Sequence, residues 1–132
     1  MSYGSAHIPT EIRHKKQERQ LQISWDTGEV FSYSMEYLRV KCPCADCCGH
    51  TPDQAKLVDG KEQVTIQVIV PVGHYAVKLH FSDGHDSGVF SWTTLFDLGL
   101  NQATYWQNYL DALQAANKRR RPSVFPIKVV SP

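Results

Sequence analysis

The chain has 132 residues and a mass of 15.0 kDa, and its 14 basic and 13 acidic side chains give a net charge of +1 with neutral histidines. A chain of this length buries roughly two-thirds of its unfolded surface on folding, which favours one domain with its own apolar core. The composition, with 42% hydrophobic and 20% charged residues, excludes wholesale disorder and fibrous repeats, and the charge balance points to no particular class of partner.

The N-terminal part of the chain predicts an antiparallel β-meander followed by a short helix. Extended segments are expected at residues 11–16, 20–25 and 29–33. In the second segment, Leu21, Ile23 and Trp25 recur at every other position, which places them on one face of a strand. Ser34 is a suitable N-cap for a helical turn over residues 35–40.

The central part of the chain predicts further strands joined by a hairpin. Alternating apolar residues at 64–70 indicate a well-buried strand that ends at Pro71. Residues 75–81 alternate between apolar and polar side chains and predict a half-exposed strand. The polar sequence 83–88 is typical of a hairpin turn, which leads into another extended piece at 89–91.

The C-terminal part predicts two helices and a tail. A short helix capped by Ser91 or Thr93 is expected to run through Leu98, and Asn101 opens the longest helix, which Pro122 stops. Residues 122–132 contain three prolines and predict an extended tail, while residues 1–8 predict a mobile N-terminus. The predicted fold class is therefore α+β, a small antiparallel β-sheet domain with a cysteine loop and C-terminal helices.

Two features of the last helix have alternative interpretations. Tyr105, Trp106 and Tyr109 recur at helical spacing, which is typical of a core-facing stripe, although aromatic side chains also anchor protein interfaces. The basic run 118–121 is expected in the last turn or just past it, where it would complement the helix dipole. The alternative is a phosphate-binding patch, which a net charge of +1 does not favour.

The four cysteines, Cys42, Cys44, Cys47 and Cys48, all lie within seven residues. Disulfides that stabilise small domains join distant segments, so this clustering favours metal ligands or redox groups over structural bridges. The spacing Cys-x-Cys-x-x-Cys lets one tight loop turn the first three thiolates toward a single zinc ion. A set of reduced thiols without metal is the alternative.

A tetrahedral zinc site needs a fourth ligand, which spacing alone does not choose. Cys48 is close in sequence but directly follows Cys47, and adjacent side chains tend to diverge. His50 is also close but has little chain with which to fold back onto the loop. His85 lies in the glycine-flanked turn of residues 83–88, which could hold it over another loop.

Five ordered segments of the sequence also carry a family resemblance. They are Leu38-Arg39, Cys42-Pro43-Cys44-Ala45-Asp46-Cys47, Val72-Gly73-His74-Tyr75-Ala76, Ser82-Asp83-Gly84-His85-Asp86-Ser87-Gly88 and Ser91-Trp92. Together they resemble the gamma-butyrobetaine hydroxylase-like N-terminal domain family. The resemblance implies a domain of this type over residues 9–100, with a helix at 101–121 packed on it.

In the carnitine-pathway hydroxylases that carry this domain, a zinc ion is held by the three cysteines of the loop and by a histidine of a later strand-turn segment. Carried over to this sequence, the resemblance implies Cys42, Cys44, Cys47 and His85 as the zinc ligands, with Cys48 outside the ligand set. It does not imply hydroxylase activity, because those enzymes use a separate iron- and 2-oxoglutarate-dependent domain with a His-x-Asp/Glu motif. In this sequence, no histidine is followed two positions later by Asp or Glu.

The sequence therefore predicts a zinc-stabilised accessory or protein-interaction domain that is not an enzyme. An iron–sulfur assembly or metal-handling role is the alternative, motivated by the extra thiol of Cys48 and by the occurrence of such modules beside ATPases of cluster assembly. We expect a protein partner or a homo-oligomer, and neither nucleic-acid nor membrane binding. A cytoplasmic location is expected because the N-terminus lacks a signal-peptide core and no apolar run approaches the ~20 residues that span a bilayer.

Overall fold

The computed structural model describes residues 7–44 and 57–121. In these ranges the chain forms two antiparallel three-stranded sheets, with a helix after the first sheet and two helices after the second. The elements are β1 (Pro9–Lys15), β2 (Gln20–Trp25), β3 (Val30–Ser34), α1 (Met35–Val40), β4 (Ile66–Val72), β5 (Ala76–Phe81), β6 (Gly88–Ser91), α2 (Trp92–Leu100) and α3 (Gln102–Ala115). The predicted α+β fold class is confirmed.

The first sheet has the strand order β1-β2-β3 and confirms the predicted meander. In its register, Leu21 lies opposite Tyr33 and Ile23 lies opposite Phe31. The predicted placement of Leu21, Ile23 and Trp25 on one face of β2 is confirmed, since Leu21 and Ile23 are fully buried and Trp25 is 2% exposed. The sheet therefore turns one apolar face toward the core and leaves its other face to solvent.

The second sheet has the order β4-β5-β6, and its edge strand β4 differs from the sequence expectation. The prediction of a well-buried strand was wrong beyond Ile66, because Val68 and Val70 are 50% and 39% exposed. The register shifts between Ile66 and Val68, which is the signature of a β-bulge. One extra residue reverses which face the following side chains occupy, so the valines turn outward and Ile69 turns inward.

Helix α2 packs closely on strand β3 of the first sheet. The hydroxyl of Tyr33 donates to the Leu95 carbonyl at 2.6 Å, and the hydroxyl of Tyr37 donates to the Leu98 carbonyl at 2.7 Å. Burial raises the pKa of both phenols, so they remain neutral donors. Gly99 permits the close approach, since a Cβ there would lie 2.7 Å from the Tyr33 hydroxyl oxygen.

Helix α3 presents the predicted aromatic stripe to the core. Tyr109 is buried, and Tyr105 and Trp106 are half-buried against the core residues. The helix ends at Ala115 with no basic residue in its last turn, so the basic run 118–121 lies beyond the helix. Within the described ranges, no helix has both the length and the apolar character needed to cross a membrane. Residues 1–6 of the predicted mobile N-terminus and the predicted tail 122–132 lie outside the described residues.

Candidate metal centre

The end of α1 delivers the first two cysteines of the loop. The Ser34 hydroxyl caps this helix by accepting the Tyr37 backbone N–H at 3.0 Å, as the sequence predicted. The chain leaves the helix after Val40, and the backbone N–H of Cys42 donates to the Arg39 carbonyl at 3.3 Å. Cys42 is 2% exposed and Cys44 is 9% exposed, so both thiols are enclosed by protein.

The turn between β5 and β6 presents His85. The Phe81 N–H donates to the His85 carbonyl at 3.0 Å, and Gly84 adopts a φ of 86°, a left-handed conformation that glycine accepts without strain. The carboxylate of Asp83 accepts the His85 backbone N–H at 3.1 Å, which is an Asx turn. Hydrogen bonds on both sides therefore fix the backbone from which the imidazole projects.

The two segments meet at the imidazole of His85. Its Nε2 atom lies 3.0 Å from the Cys42 sulfur and 3.4 Å from the Cys44 sulfur, and the three atoms lie within 4.8 Å of one another. Sulfur and nitrogen ligands at tetrahedral positions on zinc lie about 3.5 Å apart, given Zn–S near 2.3 Å and Zn–N near 2.0 Å. The donor atoms and their separations therefore fit a transition-metal ion such as zinc.

Of the predicted ligands, Cys42, Cys44 and His85 are brought together, and Cys47 lies outside the described residues, as do Cys48 and His50. Among the described residues, this trio is the only group of three or more metal-binding side chains within such a distance. The structure thus supports His85 as a partner of the cysteines across 43 residues of sequence.

Gly88, at the start of β6, makes room for the first thiol. A Cβ added at this position would lie 2.6 Å from the Cys42 sulfur and 3.1 Å from Cε1 of Phe90. Both Cys42 and Phe90 are buried, so a side chain at residue 88 would force one of them to shift within the core. The absence of a side chain at residue 88 is therefore a requirement of the site, and sequence reasoning treated this residue only as part of a turn.

A charged cluster beside His85 supports the turn. The Asp83 carboxylate accepts from Arg39 Nε at 2.8 Å and from Lys61 Nζ at 2.7 Å, and its side chain is only 19% exposed. Burial pushes the Asp83 pKa up, but the hydrogen bonds from Lys61, Arg39 and the His85 N–H outweigh it and lower the pKa to about 2. The carboxylate therefore stays charged and ties the turn to α1 and to residue 61.

The sequence predicted a turn at residues 83–88, which includes Asp83, but it did not indicate Lys61. No short-range pattern links Lys61 to Asp83, since 22 residues separate them and neither motif nor periodicity includes both. The pairing of two cations with one carboxylate is visible only in the folded structure.

Comparison with known proteins defines the family. The family model described as gamma-butyrobetaine hydroxylase-like, N-terminal, matches residues 12–96, which is more than half of the chain. The chain belongs to the gamma-butyrobetaine hydroxylase-like N-terminal domain family. The match covers α1, Cys42, Cys44, the β5–β6 turn with His85, and most of α2.

Solved structures similar to this gamma-butyrobetaine hydroxylase-like domain extend the match over nearly the whole chain. Two protein structures determined by NMR in solution share 34% and 44% identity, with TM-scores of 0.78 and 0.77, and cover 96% and 99% of this chain and 100% and 99% of their own. A crystal structure of a DUF971-family protein of unknown function from Acidithiobacillus ferrooxidans shares 44% identity at a TM-score of 0.59, covering 69% of this chain and 91% of that one. No functionally curated protein matches the chain.

Proposed function

We propose that this protein is a non-catalytic accessory domain whose Cys42, Cys44, Cys47 and His85 hold a zinc ion, and which acts through contacts with a protein partner. The observation that carries the proposal is the position of His85 Nε2, 3.0 and 3.4 Å from two thiols that lie more than 40 residues away in sequence. Buried thiols facing a histidine are the donor set of a Cys3His structural zinc site.

A metal ion bound by these side chains would cross-link the cysteine loop to the β5–β6 hairpin. The protein's own contribution is to hold the donor atoms in place before the ion arrives. Ser34 positions the helix that precedes Cys42, and Asp83 fixes the backbone of His85. Because such a site does not exist in the unfolded chain, the free energy of metal binding adds to the free energy of folding.

The surroundings of the trio support a structural role over a catalytic one. The carboxylate of Asp83, which accepts the His85 backbone N–H, also accepts from Arg39 and Lys61. A hydrolytic zinc site needs a carboxylate or imidazole that is available to activate water. Thiolate ligands also require a reducing compartment, which supports the cytoplasm as the location we propose.

Metal analysis of untagged protein, purified anaerobically and without chelators, tests the proposal. We expect about one equivalent of zinc per chain and a colourless protein. Less than about a tenth of an equivalent in a folded protein would contradict a structural site. A brown protein with visible absorption would instead support the iron–sulfur role, for which Cys48 supplies an additional thiol.

Two cysteine substitutions in the same loop provide a matched comparison. Cys44→Ser removes a proposed ligand, and we expect it to lose the metal and several kcal/mol of stability, because metal binding is coupled to folding. Cys48→Ser makes the same chemical change outside the proposed ligand set and is expected to retain both. Thermal unfolding with and without a chelator measures the stability, and equal effects of the two substitutions would refute the ligand assignment.

A further inference from the structure

The basic run 118–121 lines an open cleft beyond the end of α3. The cleft has a volume of about 540 Å³, and its floor includes Leu110 and Leu113. Its remaining lining residues are Glu62, Gln114, Lys118, Arg119, Arg120 and Arg121. Since α3 ends at Ala115, these cations lie past its last turn.

Hydrogen bonds hold the backbone of the basic run in place. The N–H groups of Gly60 and Glu62 donate to the carbonyls of Arg119 and Arg120 at 2.8 and 2.9 Å. Arg120 also makes a two-pronged ion pair with the buried Glu36, and its guanidinium lies 5.2 Å from the centre of the Trp106 ring. The run is therefore attached to the domain through its middle residue, and its neighbours are presented from a fixed backbone.

The charge of the cleft is unbalanced. Four cations and one carboxylate, Glu62, line it, which gives 4 − 1 = +3 in a chain whose total charge is +1. Glu36 neutralises Arg120, which leaves +2 from the side chains of Lys118, Arg119 and Arg121 against Glu62. Among the described residues, no acidic group lies within ion-pair distance of these three exposed cations.

We propose that this cleft binds a short acidic segment of a partner protein, one that also carries an apolar side chain for the leucine floor. The inference rests on the proposed function as a protein-interaction domain and names the surface and the chemistry of the partner. Carboxylates of the partner would pair with Arg119 and Arg121, for which arginine offers two parallel hydrogen bonds. The half-buried Leu110 offers the apolar contact.

Charge complementarity favours this occupant over two others. Residues 122–132 of the same chain contain one lysine and no acidic residue, so they do not match a positive cleft. Nucleic-acid surfaces commonly neutralise about 6–10 phosphates, whereas three unpaired cations are available here. Within the described chain, the cleft also has no aromatic lining residue on which a base could stack.

A labelled peptide of alternating aspartate and leucine provides the direct test on the full chain. Fluorescence anisotropy at low salt should show binding at least about 10-fold tighter than for matched peptides with asparagine for aspartate or alanine for leucine. The double variant Arg119→Gln/Arg121→Gln should weaken binding about 10-fold or more. Arg13→Gln/Lys16→Gln makes the same change in net charge at exposed positions in β1 and in the turn that follows it, and should leave binding unchanged.

Four results would overturn the inference. The first is no saturable binding up to about 1 mM peptide, and the second is an equal loss of peptide binding in both double variants. The third is tighter binding of an oligothymidylate at the same arginines, and the fourth is displacement of the acidic peptide by a peptide of residues 122–132. Zinc content and the unfolding temperature are measured on the same samples. If a variant loses peptide binding while its zinc content and unfolding temperature stay unchanged, the defect lies in the cleft alone. If the wild-type protein contains no metal, the proposed metal site is refuted, but the result for peptide binding still holds.

Discussion

Replacing Gly88 with alanine tests how tightly the β5–β6 hairpin encloses Cys42 and the proposed metal site. The added methyl group would lie 2.6 Å from the Cys42 sulfur, whereas ordinary contacts begin near 3.4 Å, so the two must separate by about 0.8 Å. Overpacking of this kind costs about 1–3 kcal/mol in a buried site. Metal–ligand distances tolerate only about 0.2 Å, so we also expect zinc affinity to fall by about 10–100-fold.

Two measurements separate packing from metal binding. Urea denaturation in excess chelator gives the free energy of unfolding of the metal-free chain, and competition with a chromophoric chelator gives the zinc affinity. Gly28→Ala, in the β2–β3 turn, is the control. Its φ of 93° makes alanine unfavourable by about 1–2 kcal/mol, but a Cβ there would contact nothing within 4 Å. We expect this control to lose stability without losing zinc affinity.

Two outcomes would contradict the expected effect of Gly88→Ala. Zinc affinity and stability at wild-type levels in Gly88→Ala would mean that the Cys42 sulfur is not confined by β6. An equal fall in zinc affinity in Gly28→Ala would mean that affinity follows overall stability, and the 2.6 Å approach would then explain nothing specific to the site.

Three other substitutions test the packing that supports the site, each by urea denaturation. Gly99→Ala places a methyl group within 2.7 Å of two aromatic side chains on β3 and should destabilise the protein by about 1–3 kcal/mol. An increase in the free energy of unfolding, as expected from the higher helix propensity of alanine alone, would contradict this. Tyr37→Phe removes the buried donor to the Leu98 carbonyl and should cost about 1–2 kcal/mol, so an unchanged midpoint counts against that bond. Glu36→Gln should cost about 1–3 kcal/mol, less than for a fully buried pair because Arg120 is 42% exposed; in an Arg120→Gln background it should not destabilise, because it then removes an unpaired buried charge.

Features encoded by neighbouring residues could be predicted from the sequence. The period-two pattern of β2 identified its buried face, and Ser34 was recognised as a cap because the capping bond joins residues three apart. The cysteine spacing likewise indicated a candidate metal site, and two of the thiols lie beside His85. The buried face of β4 was predicted wrongly beyond Ile66, because a bulge depends on the register with β5 and reverses the pattern that the strand carries alone.

The composition of the site depended on contacts between distant segments. Residue spacing left His50, His85 and Cys48 open as the fourth ligand, the family resemblance pointed to His85, and the packing of the β5–β6 turn against the end of α1 brought that side chain to two thiols. The pairing of Lys61 with Asp83 became visible only in three dimensions. Patterns within short segments determine where strands, helices and thiols occur. Which of several histidines or charged side chains reaches the site depends on how distant segments pack, and no short segment carries that information.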